Sequence, residues 1–180
     1  MVEQAGSQSA PADGVRAMRF AGDDEIPNSA LPLVVYAGAV VAAGADPAAA
    51  FERLFAGNGW RGAWRDGIFS YPHYHSTAHE VLGIARGTAK VRFGGAGGAV
   101  LTVGPGDVVV IPAGVGHQNL GASPDLLVVG AYPGGARADL CRGGERERAE
   151  VERDIAGVPL PDADPVHGAD GPLLRYWRAA

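Results

Sequence analysis

Gly67-Ile-Phe-Ser-Tyr-Pro-His-Tyr-His-Ser-Thr-Ala-His-Glu-Val-Leu-Gly-Ile-Ala-Arg-Gly87 holds three of the chain's five histidines, His73, His75 and His79, with Glu80 directly behind them. A fourth, His117, closes a second stretch marked by glycine and proline, Gly106-Asp-Val-Val-Val-Ile-Pro-Ala-Gly-Val-Gly-His117. Both stretches read as strand-like. Four imidazoles and a carboxylate gathered in two short segments form a ligand set for a metal ion, not one isolated structural histidine.

The spacing has a physical reading. Alternate side chains of an extended strand share a face, so His73 and His75 point one way and Tyr74 the other. Ser76-Thr77-Ala78 turns the chain. Glu80 then opens the returning strand with Leu82 and Ile84 on its face, and a hairpin brings it back beside the two histidines. His117 must arrive from a distant strand, as a closed barrel allows. Tyr71 shares the face of His73 and His75, where it either lines a pocket or fills the barrel core. The same alternation turns His79 away from Glu80. We read it as a supporting residue near the site; a replacement ligand and a partly exposed hydrogen-bonding residue are the alternatives.

These residues carry a resemblance. Gly67, His73, His75, Glu80 and Gly87 resemble the first cupin motif, in which five residues precede His-x-His, four precede the glutamate and six precede the last glycine. Gly106, Pro112, Gly114 and His117 are similar to the second motif. That motif usually ends in asparagine four places after its histidine. Here Gly121 stands there, and Asn119 is the nearest amide, on the face of His117. The resemblance implies an all-β, cupin-like jelly-roll (double-stranded β-helix) barrel with peripheral helices. It also implies one divalent metal ion held by His73, His75, Glu80 and His117. Imidazole and carboxylate donors suit Fe, Mn, Ni, Co or Zn. Gly130-Ala-Tyr-Pro-Gly134 and the C-terminal tail resemble short bacterial cupins of unassigned activity.

Composition sets the outer bounds. The chain has 180 residues, 47% of them hydrophobic, which suits one packed domain. Its 28 glycines and 13 prolines punctuate short segments, as in an all-β chain. The formal net charge of -5 comes from mixed acidic and basic residues with no basic stripe, so nucleic acid is not an expected partner. No apolar run is long enough for a membrane span, and the N-terminus has no secretory pattern. A single cysteine, Cys141, permits no internal disulfide. Together these features suggest a cytoplasmic protein.

The chain divides into a flexible tail over 1–14, a jelly-roll domain over 15–135 and a helical and loop extension over 136–180 that packs on the barrel. Strands are expected over 15–20 and 33–41. Asp46 as cap and Pro47 at the first helical position open a covering helix near 47–56, ended by Gly57 and Gly59. Trp60 and Trp64 are read as core or interface in preference to a pocket mouth. Lys90 to Phe93 and Ala99 to Val103 form a hairpin with a glycine-rich tip. Strands at 108–111, from His117 and over 125–132 bring the count to about eight. Asp107 is read as a tie for backbone groups, Arg92 as a carboxylate clamp only if it faces inward, and Cys141 and His167 as bystanders. Residues 145–155 form a charged, solvated helix, and 173–177 a last turn docked on the barrel.

No nucleophile motif or dinucleotide fingerprint is present, so any chemistry rests on the metal. Four ligands leave two positions of an octahedral ion open. The expected function is a metal-dependent enzyme, dioxygenase-type, acting on a small oxygen-rich organic molecule. The alternatives are a redox-neutral isomerase, epimerase or lyase, and a non-enzymatic module that binds or senses a small ligand. Catalytic residues beyond the ligands are not identified, with His79, Tyr71 and Asn119 as candidates for the pocket or its support. Cupins commonly pair, and unpaired sheet edges favour pairing, so a homodimer is the expected assembly.

Overall fold

The computed structural model describes residues 14–180; the tail read over 1–14 lies, apart from Gly14, outside the described residues. Two antiparallel sheets face each other. The larger runs β1 (Val15–Met18), β2 (Leu33–Tyr36), β7 (Val108–Ile111), β4 (Glu80–Arg86), β9 (Leu127–Pro133) and β3 (Trp60–Asp66) in spatial order. The smaller runs β6 (Ala99–Val103), β5 (Ala89–Phe93) and β8 (His117–Ala122). Helix α1 (Ala48–Gly57) precedes β3, and α2 (Arg148–Gly157) and α3 (Pro172–Arg178) follow β9. This is the jelly roll with peripheral helices that the motifs implied.

The larger sheet is buried on both faces, which is why β2 and β7 show no polar alternation. On its inner face Leu82, Ile84, Val109 and Val128 meet Val91 and Phe93 of the smaller sheet. On its outer face Val81, Val110, Val129 and Ala131 meet Phe51 of α1 and Leu173 and Trp177 of α3. Gly83 makes room for α1: a Cβ there would lie 2.2 Å from the Phe51 ring. The C-terminal extension is fastened by a fully buried carboxylate. Asp164 accepts hydrogen bonds from the Tyr36 hydroxyl (2.5 Å) and from the amides of Val166, His167 and Leu173. Trp177 adds a hydrogen bond from Nε1 to the Pro32 carbonyl at 2.8 Å.

Several expectations shift. Among the described residues there are nine strands, because Trp60–Asp66, read only as a lead-in, pairs with β9. The strand expected over 33–41 stops at Tyr36, where the chain turns through Gly38 at φ 59°. The charged helix begins at Arg148 rather than Glu145, because Glu145 bends back to accept from the Arg142 amide. Regular helix begins at Ala48, with Pro47 already at helical angles. The Asp46 carboxylate forms a bidentate pair with Arg65 at 2.8 and 3.0 Å. Asp107 does tie backbone, accepting from the amides of Gly38 and Gly104 at 2.8 Å each.

Candidate metal centre

The site sits where the two sheets face each other. His73 is not part of a regular hairpin with β4, as the spacing suggested. It pairs by a two-way backbone bridge with His117, the first residue of β8 (N–O 3.2 and 2.9 Å), while Tyr74 pairs with Cys141. β4 instead lies between β7 and β9, so Glu80 reaches the histidines from the floor of the cavity. The alternation reading of β4 holds: Glu80, Leu82 and Ile84 face inward, and His79 and Val81 face outward.

One nitrogen from each of His73, His75 and His117 falls within 4.8 Å of the others. The Nδ1 atoms of all three face backbone carbonyls: His73 that of Tyr71 at 3.0 Å, His117 that of Val115 at 3.3 Å, and His75 that of Asp139. A carbonyl only accepts, so the neutral imidazoles carry their proton on Nδ1 and leave the Nε2 lone pairs free. Glu80 Oε2 lies 3.3 Å from His75 Nε2 and 3.4 Å from His117 Nε2. Donors about 2.1 Å from a shared ion lie roughly 3.0–3.4 Å apart, so these separations and this chemistry fit a divalent cation.

Electrostatics points the same way. Burial, reinforced by the neighbouring His117, pushes His73 down to about 3, so it is a neutral donor. Burial alone would raise Glu80, but the pairing of its carboxylate with the His117 and His75 rings outweighs burial and holds the carboxyl well below its usual range. In the metal-free chain His75 is raised, because Glu80 and the Asp139 carbonyl together overcome its desolvation. A proton there and a cation in the cluster therefore compete.

Tyr132 was missed by sequence reasoning. Val81 pairs with Ala131, so the next inward pair is Glu80 and Tyr132. The Tyr132 hydroxyl donates to Glu80 Oε1 at 3.1 Å and accepts from Trp64 Nε1 at 2.9 Å. Glu80 is thus steered by one oxygen while the other faces the imidazoles. Burial and the Glu80 charge raise the phenol, which stays protonated. The pairing of alternate residues was visible in the sequence, but the partner strand was not.

The two tryptophans separate. Trp60 is buried in the outer core and donates to the Ala163 carbonyl. Trp64 lines the cavity, which corrects the core reading for that residue. A bulge between Arg61 and Trp64 switches the strand's faces. The indole lies across Gly130, where a Cβ would come within 2.1 Å of the ring.

The other candidates fall outside the cavity lining. Tyr71 is half-buried, stacked on Phe69 (5.0 Å, 14°) with the Arg142 guanidinium 3.9 Å above its ring, so it is neither core nor wall. Asn119 turns its Oδ1 to the Gly121 amide at 2.8 Å. His79 is buried on the outer face against Trp177, accepting from the Ala113 amide at 2.9 Å. Its Nε2 has no hydrogen-bond partner. It steadies the turn before His117 without touching the cluster. Arg92 points out of the barrel into a separate small hollow, so it is no clamp here. His167 packs near Tyr36. Cys141 is buried, with Sγ donating to Asp139 and its thiol raised by burial and then by that carboxylate. Asp139 also accepts from the amide and hydroxyl of Ser76 and from Thr77, which fixes the carbonyl that orients His75.

A jelly roll with this histidine cluster between its sheets defines the class: the chain belongs to the cupin superfamily, and residues 65–128 match the Cupin domain family. Over 159 residues it is 45% identical to the uncharacterized protein YjlB of Bacillus subtilis (strain 168), covering 88% of this chain and 93% of that one. Among solved structures it is similar to acireductone dioxygenase from Bacillus anthracis with cadmium ion in its active centre. There the identity is 16%, over 49% of this chain and 61% of the other, at a TM-score of 0.36. It is similar too to recombinant pro-11S globulin of pumpkin, at 22% identity over 53% and 31% of the two chains and a TM-score of 0.36. The chain spans less than two thirds of the length of these solved structures. Among the described residues no helix is long and apolar enough to cross a membrane.

Proposed function

We propose that His73, His75, His117 and Glu80 hold one divalent metal ion and that the protein is a metal-dependent enzyme, dioxygenase-type, acting on a small organic molecule. The observation that carries this reading is the set of three Nδ1–carbonyl contacts, which presents three Nε2 lone pairs beside the Glu80 carboxylate. A bound ion would supply Lewis acidity and, if it were iron(II), redox chemistry toward dioxygen. The chain's own residues do the rest. Tyr132 orients Glu80, Asp139 orients His75, and Trp64, Phe69 and Leu82 line a cavity of about 330 Å³.

A redox-neutral reading draws support from Tyr132, a protonated phenol at the cavity wall that is hydrogen-bonded to a ligand carboxylate. It would serve an isomerase or lyase as a proton donor. Oxygen uptake with iron-loaded protein separates the two: consumption coupled to loss of substrate supports the first, and turnover without oxygen supports the second. Binding without turnover under either condition returns the protein to the ligand-binding class. We also propose a homodimer joined along a sheet edge such as β6, where Val100 is exposed. Light scattering that shows a monomer would rule it out.

A further inference from the structure

We infer that the cavity is shaped for a mostly apolar molecule without a negative charge on its body, which carries its metal-facing oxygens on one edge. This deepens the metal reading above and rests on it. The apolar walls are Trp64, Ile68, Leu82 and Phe69, the last with its ring 5.2 Å from that of His73. Among the described residues no lysine or arginine lines the cavity, and the charged side chains that do, apart from the histidines, are the carboxylates of Asp66 and Glu80. A carboxylate or phosphate placed among these walls would lose its hydration without gaining a cation in exchange. Arg142 stacks on Tyr71, outside the cavity lining.

The neutral polar groups of the wall are engaged as well. Trp64 Nε1 donates to Tyr132, and the Tyr132 hydroxyl donates to Glu80. Neither has a hydrogen left to donate, so a ligand oxygen that can only accept would be buried unpaired on this side, at about 1–3 kcal/mol, whereas a ligand hydroxyl can still donate to the Asp66 carboxylate. Oxygens that can only accept are therefore welcome only at the histidine end. The oxygen-rich molecule expected from the sequence narrows to one with its metal-facing oxygens gathered on a single edge.

Two titrations test this. The first uses zinc-loaded protein with maltol, which chelates as a monoanion with its charge at the metal end, and malonate, a dianionic chelator that also offers two oxygens. The ratio of their affinities is divided by the same ratio for free zinc. We expect protein to favour maltol at least tenfold by this measure, and Phe69→Arg to cut that preference at least fivefold. A preference below tenfold, or one that Phe69→Arg leaves in place, overturns the inference. The second uses metal-free protein with 2-naphthol and 2-naphthoate, which share a body and differ in charge. Naphthol binding at least tenfold tighter supports the walls as described even if zinc does not bind, in which case the metal reading alone fails. Equal or tighter binding of naphthoate overturns the inference regardless of the metal.

Discussion

His79 and Glu80 are neighbours in sequence, equally buried, and in wholly different surroundings. Glu80 faces inward to two imidazoles and a phenol. His79 faces outward to Trp177 and the Ala113 amide. The larger sheet thus has a chemical face and a packing face, and one step along β4 moves a side chain from one to the other. Residue type does not decide the role; the face does. A histidine inside the first histidine motif is here a structural residue.

That division can be broken by substitution. The largest effect is expected at His79. Replacement by alanine opens a void against Trp177 and leaves the Ala113 amide without its acceptor, for a loss of about 2–4 kcal/mol in denaturant unfolding. Metal stoichiometry should stay at the wild-type value, and a loss of metal without a loss of stability would move His79 to the chemical face.

The same residue sets a pH dependence. Burial holds His79 down to about 4 from its ordinary 6.5, so the folded chain keeps it neutral. Its contribution is complete above about pH 6.5 and is lost as pH falls to about 4, where the unfolded chain has already taken the proton. The shift corresponds to at most roughly 3 kcal/mol. In His79→Gln, which keeps an acceptor for Ala113, this part of the decline should vanish from a series of urea melts.

The glycines sharpen the comparison further. Gly83→Ala on the packing face meets the Phe51 ring and should destabilise by about 1–3 kcal/mol with little change at the cavity. Gly130→Ala on the chemical face meets the Trp64 indole and should weaken maltol binding to zinc-loaded protein more than it lowers the melting temperature. The smallest effect is expected for Tyr132→Phe. It frees Glu80 Oε1 and should reduce zinc affinity by about tenfold in competition with a chromogenic chelator. No change would mean that the Tyr132 hydroxyl does not steer the carboxylate.

The parts legible in the sequence were those fixed by local alternation and turn chemistry. The inward set Glu80, Leu82 and Ile84, the outward turn of His79, and the Asp107 tie all follow from period-two geometry and short-range hydrogen bonding. The gathering of His73, His75 and His117 came instead from the resemblance of the two motif-bearing segments, since the segment that carries His73 and His75 is not a regular strand. What was not legible depends on partners far along the chain. Tyr132 meets Glu80 across 52 residues and Trp64 across 68, and Asp139 meets His75 across 64. Strand order decides these meetings, and no local pattern states it. Trp64 was misread because a bulge shifts the register within β3, and a bulge leaves hydrophobic spacing unchanged. Tyr71 was placed by alternation in a segment that is not a regular strand, so its face did not follow.

The central claim is that the histidine cluster and Glu80 form a metal centre. The most direct test is metal content by mass spectrometry on untagged protein purified without chelator, wild type beside a His73→Ala/His117→Ala variant, with unfolding measured on both. The account predicts about one divalent transition metal per wild-type chain, lost in a variant that still folds. A wild type that stays metal-free after reconstitution with iron(II), manganese, nickel, cobalt and zinc, or a folded variant that keeps its metal, would contradict it.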